Sequence, residues 1–342
     1  MTAVSRAKGR PNAGAASGTA PAGTPHGKRT EARRTPRAFR SLGPDRLLRL
    51  KPALDDLYDQ YNRAGVRSDP IEIARAYQDP ADREIAAFCA AGLAFGRVES
   101  IKQSVGRLLA VMSPSPAAFV SRFDPRTDAP RFDALGHRWT RGRDLAALVW
   151  LLKQMIGARG SLEQFFLDGY DPAAPDVGPT LDAFSTSALR LDLHRVYGTT
   201  RPGGPGVAYF FPKPSSGSAC KRLNLFLRWM VRRDGVDFGL WQRVPASKLI
   251  VPLDTHIVRL GRCLRLTTCA TPGWRMAAEI TASLRILDPE DPVRYDFSLC
   301  HLGMTDACGF RRPYRDQRCP LRGWCRPRAG KPRASRRPSG RR

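Results

Sequence analysis

Three stretches of this chain carry side chains of the types that do chemistry. The first runs SerGlySerAlaCysLysArgLeuAsn, residues 216–224. A Pro/Gly/Ser-rich turn here delivers the chain into a helix, and small residues at its start, Gly217 and Ser218 among them, are followed by Lys221 and Arg222. Backbone N–H groups and the positive end of the dipole face outward at such a start, so it can hold an anion. A plain helix start with two solvated cations is the alternative. The second is ValProLeuAspThrHisIleValArg, 251–259. Pro252 stops the preceding element, and Asp254 stands where a carboxylate can cap the next helix. His256 on its own reads as an ordinary surface or core histidine. The third is a cysteine group, Cys300, Cys308, Cys319 and Cys325, spaced C-x7-C-x10-C-x5-C in a loop broken by Pro313, Pro320 and Gly323. Four thiols in so short a stretch point to an iron–sulfur cluster or zinc, or else stay as unliganded thiols. Cys89, Cys220, Cys263 and Cys269 read as small buried residues.

Helices must position these groups. The apolar spacing is helical almost throughout. It predicts helices over about 46–64, from Pro80 to Leu93, and over 98–112, 115–123, 144–156, 162–167 and 181–197. After a Pro/Gly/aromatic loop at 198–216, four more are predicted over about 218–233, 254–265, 273–287 and 293–303. No convincing strand alternation and no internal repeat is present. The fold class expected is all-α, in one domain over 45–327 that includes the cysteine loop at 300–325. The flanks, 1–44 and 328–342, have hardly any large apolar side chains and read as disordered basic tails.

The chain has 342 residues, with 57 Lys and Arg against 31 Asp and Glu, a formal charge of +26. Residues 1–45 hold nine Lys/Arg and two acids, and 326–342 hold eight Lys/Arg and none, which leaves +11 on the middle. A domain that is basic without its tails suggests a polyanionic partner such as nucleic acid. No apolar run is long enough to span a membrane, and no secretory signal follows Arg6, Lys8 and Arg10. Eight cysteines in a chain of this length do not make a disulfide scaffold, so a reducing cytoplasm is expected.

The order of these stretches adds to what each says alone. A lysine after a turn, then LeuAspThrHisIleValArg at 253–259, then a C-terminal cysteine loop resembles the helix-hairpin-helix DNA glycosylases of the endonuclease III type. AlaPheCysAlaAlaGlyLeuAlaPheGlyArgValGluSerIle, 87–101, resembles that family's early helix and the turn after it. HisArgTrpThrArgGlyArgAspLeu, 137–145, sits where the family turns into another helix, and AlaCysLysArgLeuAsn resembles its Gly-Arg-Lys-Thr-Ala-Asn. The likeness covers about 80–325. Phrases such as CysLysArgLeuAsnLeuPheLeuArgTrpMetValArg more closely resemble an uncharacterised conserved bacterial family in or near that superfamily.

The resemblance implies a glycosylase-like fold and a DNA-repair glycosylase or abasic-site lyase, cytoplasmic and nucleoid-associated, working as a monomer on double-stranded DNA. It implies Lys221 as the nucleophile at the sugar C1′ and Asp254 as the essential aspartate. DNA contacts are expected from Phe95, Arg97, Gly217, Ser218, Arg222 and Arg259, with Phe95 or Arg97 as the wedge that fills the gap left by a flipped base. It also implies a [4Fe-4S] cluster on Cys300, Cys308, Cys319 and Cys325. The sequence departs from the family in three ways. Lys221 and Asp254 lie 33 residues apart, about twice the family's spacing, with 234–248 reading as an insertion. ProSerSerGlySer, 214–218, replaces the Leu-Pro-Gly-Val-Gly hairpin. The second family cysteine is missing, with Asp316 at its place. A nucleic-acid-binding protein of glycosylase descent without chemistry is the competing reading.

Overall fold

The computed structural model describes residues 41–63, 65, 69–199, 205–304 and 318–325. The predicted disordered tails lie outside these residues except for 41–44, where the structure corrects the boundary: Leu42 is buried, its N–H bonds Arg265 O, and Pro44 already begins a helix; Cys308 and Asp316 also lie outside. The described helices belong to one unit, Phe39–Arg342. In chain order they are α1 Pro44–Tyr61, α2 Ile71–Arg75, α3 Pro80–Gly92, α4 Val98–Val111, α5 Pro116–Arg122, α6 Pro125–Asp128, α7 Gly142–Arg159 and α8 Leu162–Leu167. They continue with α9 Gly178–Arg190, α10 His194–Tyr197, α11 Lys221–Val231, α12 Thr255–Cys263, α13 Trp274–Arg285 and α14 Asp296–Met304. No helix among the described residues is long and apolar enough to cross a membrane.

The domain is all-α, with one exception to the expectation of no strands. Gly136–His137 (β1) and Thr140–Arg141 (β2) pair antiparallel across a two-residue turn, Arg138–Trp139. Segments this short carry no alternation to read. A tertiary clamp holds the hairpin instead: buried His137 places Nε2 2.8 Å from the Phe95 carbonyl and Nδ1 2.9 Å from Ser104 Oγ.

Local chemistry explains the helix starts. Asp79 caps α3 by accepting from Ala81 N and Asp82 N, and Pro80 occupies the first turn, where its missing N–H costs nothing. Nearly every side chain of α3 from Ile85 to Ala91 is buried, as are those of α7 from Leu145 to Leu152, so these two helices run through the core. The helix expected over 181–197 is two helices. Gln154 of α7 clamps the backbone of Asp192 from both sides (Nε2 to Asp192 O 2.9 Å; Asp192 N to Oε1 3.0 Å), and α9 ends at Arg190. The loop at 198–216 contains two 3-10 turns, Gly206–Phe210 and Pro214–Ser216. Tyr197 ties it to α7, donating its hydroxyl to Asp144 (2.8 Å) and accepting from Val207 N (3.1 Å).

Residues 234–248, read as an insertion, are built into the core. Trp241 is buried and donates its Nε1–H to Glu84 of α3 at 2.7 Å. Asp237 lies between two buried arginines, Arg228 of α11 and Arg232 just past its end. Arg228 is 3.2 Å from Asp237 and 2.6 Å from Asp296 at the start of α14, while Arg232 pairs with Asp237, Asp234 (2.8 Å) and Asp291 (2.9 Å). Buried charges persist only when paired and hydrogen-bonded. This network therefore fixes α11, which starts at Lys221, against α14, which packs on α12.

Candidate functional site

Lys221 and Asp254 each stand at the start of a helix. Asp254 caps α12, its Oδ1 accepting from His256 N (2.8 Å) and Ile257 N (2.7 Å). Its Oδ2 is left for tertiary use and accepts the Cys300 thiol of α14, with Sγ at 3.1 Å. Burial, with the Asp254 and Asp296 carboxylates, holds that thiol well above the ordinary cysteine range, and Lys221 acts on it in the opposite sense. Asp254 thus touches this sulfur directly, and the charge of Lys221 is felt there. His256 serves the packing that makes this possible. Its ring rests on Gly303 of α14, where an added Cβ would come within 2.6 Å of His256 Cβ.

Lys221 donates from Nζ to the Ala94 carbonyl, 2.8 Å away, just past the end of α3. Its neighbour Arg222 reaches the same corner, donating to Gly92 O (3.3 Å) and to Tyr209 O. The guanidinium lies over the Tyr209 ring, 3.4 Å from the centroid. Burial pulls its pKa down to about 10, still far above neutral, so it remains a cation. Cys220 precedes these residues with φ +48, a conformation that costs a non-glycine residue some strain. Burial pushes its thiol up to about 12, which makes it a poor nucleophile. The turn before it is locked from the other side: Gly217, at φ +80, accepts from Trp274 N at 3.2 Å.

The remaining expected contacts fall in two places. Gly217 and Arg259 are exposed, and Ser218 is half-buried with Oγ accepting from Cys220 N. Arg97 is exposed at the start of α4, while Phe95 is half-buried beneath another ring, Trp139. Trp139 and the role of Cys300 at Asp254 were not found by sequence reasoning, and Tyr209 was an aromatic candidate that the sequence could not place. The ArgTrp pair between two short strands was the available sign for the first. Nothing local marks a contact spanning 46 residues.

The cysteines bear on the implied cluster. A cluster ligand is a thiolate. Here Cys300 donates its thiol proton to Asp254. Cys319 is buried and Cys325 half-buried, and among the described residues no group of three or more His, Cys, Asp or Glu side chains is placed to hold a metal ion. A cavity of about 430 Å³ lies elsewhere, lined by Ala81, Glu84, Val120, Lys153 and Trp241 among others. Both Glu84 oxygens are taken, by Trp241 Nε1 and by Leu162 N at 3.2 Å, so it presents mainly an apolar wall.

A family model described as a protein of unknown function (DUF2400) matches residues 69–305, which takes in Phe95, Trp139, Lys221, Asp254 and Cys300. No curated protein and no solved structure matches the chain.

Proposed function

We propose that this chain, which belongs to the DUF2400 family, is a DNA-binding base-excision glycosylase or abasic-site lyase of glycosylase-like fold. One observation carries the reading: the Asp254 carboxylate holds the Cys300 thiol at 3.1 Å, and the positive charge of Lys221, 33 residues away along the chain, is felt at that same sulfur. Breaking a glycosidic bond sends its electron pair to the leaving base and makes C1′ cation-like. A fixed carboxylate stabilises that charge. The Asp254 carboxylate is fixed at both oxygens. The Lys221 amine, once it has given up a proton, can then bond to C1′; the C1′–O4′ bond breaks with its electron pair and a proton going to O4′, which leaves an imine, and loss of a C2′ proton expels the 3′-phosphate and cuts the strand. Lys221 would leave the Ala94 carbonyl to do this. The net positive charge of the chain supports a polyanionic substrate.

The competing reading, binding without chemistry, is favoured by the same contacts seen differently. Lys221 is spent on Ala94 O, and Asp254 on a cap and a thiol. Strand scission separates the two readings. Incubated with an end-labelled duplex carrying one abasic site, the wild type should cut at that site, and Lys221→Gln should bind without cutting. Binding with no scission by either protein would leave the binding reading in place.

A further inference from the structure

The chemistry proposed above makes no use of the aromatic face beside Lys221. Trp139 is 53 % exposed, more than any other exposed large apolar side chain among the described residues. Its indole stacks on Phe95, with ring centroids 4.8 Å apart and planes 23° apart, and meets Tyr209 edge-on at 5.3 Å. Phe95 and Tyr209 are themselves in contact at 5.1 Å, and His137 backs Phe95 at 4.5 Å. The outer ring is thus held flat on a rigid base, and one of its faces is covered by Phe95. An exposed tryptophan in a built stack is unusual, because large apolar surface is normally buried.

Cations border this stack. Arg138, next to Trp139 and exposed, lies against Gly96, where a Cβ would come within 2.8 Å of its Nε. Arg97 is exposed beyond Gly96, and the Arg222 guanidinium covers Tyr209. From 138 to 143 the chain holds Arg138, Arg141 and Arg143 and no acid. Rigid aromatic faces edged by arginine suit a base and its flanking phosphates, since every base has a π-face and each phosphate a charge.

We propose that Trp139, backed by Phe95 and Tyr209, is the surface on which an unpaired nucleobase of a bound strand stacks, with Arg97 and Arg138 holding the adjoining phosphates. The inference rests on the reading of the chain as a DNA-binding protein, and it names the structural feature of DNA that is preferred. It also moves the stacking role from Phe95, which is covered, to Trp139, which is not.

The test is equilibrium binding of the full chain, by fluorescence anisotropy, to two labelled duplexes of one sequence. One is fully paired and the other carries a single unpaired thymine. Neither contains an abasic site, so a protein without catalysis can still show the stacking. The wild type should prefer the duplex with the unpaired base. Trp139→Ala should weaken that complex by on the order of tenfold and leave the paired complex nearly unchanged. Trp139→Phe should restore part of the preference. Trp139 stands at the surface, and an unchanged circular dichroism spectrum for the alanine variant confirms that its fold is kept. No preference in the wild type, or an equal preference in Trp139→Ala, overturns the proposal. So does a Trp139→Ala variant that turns a dimer into a monomer with binding unchanged, which would make the face a contact between copies of the chain. Strand scission with an indifferent Trp139→Ala would remove the stacking surface and leave the proposed chemistry standing.

Discussion

Asp254→Asn separates two jobs that one carboxylate holds in this fold. Oδ1 caps α12 through two N–H groups, and Oδ2 accepts the Cys300 thiol. Asparagine is as good a cap as aspartate, and its amide can face the sulfur, so stability should hardly change. Alanine loses the cap, worth about 0.5–2 kcal/mol. In a domain of this size each kcal/mol moves Tm by about 2–4 °C. Asp254→Ala should therefore melt ~1–8 °C lower, with Asp254→Asn within about 1 °C of the wild type. The rate behaves differently. Removing a fixed charge that stabilises a developing cation costs on the order of 10²-fold or more, so both variants should lose activity alike. Differential scanning calorimetry and a single-turnover strand-scission assay give the two numbers on the same samples. If Asp254→Asn keeps the full rate, the carboxylate is only a cap. If it melts as low as Asp254→Ala, the charge itself holds the fold, and the two jobs are not separable.

Arg228→Met strands Asp296 and half of the Asp237 pairing in the core; urea unfolding should show a destabilisation of about 3–5 kcal/mol, and a value below about 1 kcal/mol would mean that the network is not buried as described. Burial raises Glu84 above the usual carboxylate range, from an ordinary 4.5, so the folded chain holds this proton more tightly than the unfolded one. Its stabilising contribution is complete below the unfolded value and is lost as pH rises through the folded one. Glu84→Gln should therefore gain stability relative to the wild type as pH rises above the ordinary 4.5, and urea midpoints that diverge the other way would contradict this. Deleting 1–40 and 328–342 removes a net fifteen positive charges; DNA affinity should fall and the slope of log K against log salt should flatten by about 0.9 for each phosphate that the shortened chain no longer neutralises. An unchanged slope would show that the tails do not touch DNA.

The parts legible in the sequence are those with local causes. Pro80 after Asp79 and Thr255 after Asp254 announce helix starts because capping is a matter of two or three residues, and both helices begin there. The apolar stripes of α1, α4 and α13 follow from the helical period alone. What was missed depends on distant partners. Residues 234–248 read as an insertion because nothing nearby shows that Asp234 and Asp237 answer Arg232 and Arg228 at the end of the preceding helix, or that Trp241 answers Glu84. Cys300 read as a metal ligand from its spacing to other cysteines, and its hydrogen bond to Asp254 at the start of another helix has no local sign. The hairpin that lifts Trp139 to the surface is held by His137 against Phe95 and Ser104, partners 42 and 33 residues away along the chain. Lys221 and Asp254 were found singly from their helix starts; what ties α11 and α12 to one another is distant, through Arg228 to Asp296 and Asp254 to Cys300, both on α14.

The most direct measurement is borohydride trapping followed by peptide mapping. Wild-type protein is mixed with duplexes carrying abasic, oxidised, alkylated or deaminated sites, the imine is reduced in place, and the cross-linked peptide is sequenced by mass spectrometry. The account predicts a covalent adduct on Lys221 with at least one of these duplexes. Lys221→Gln should give none while still binding the same DNA. An adduct on a different lysine, or none on any of the duplexes, would contradict the assignment of Lys221 and Asp254 as the reacting pair.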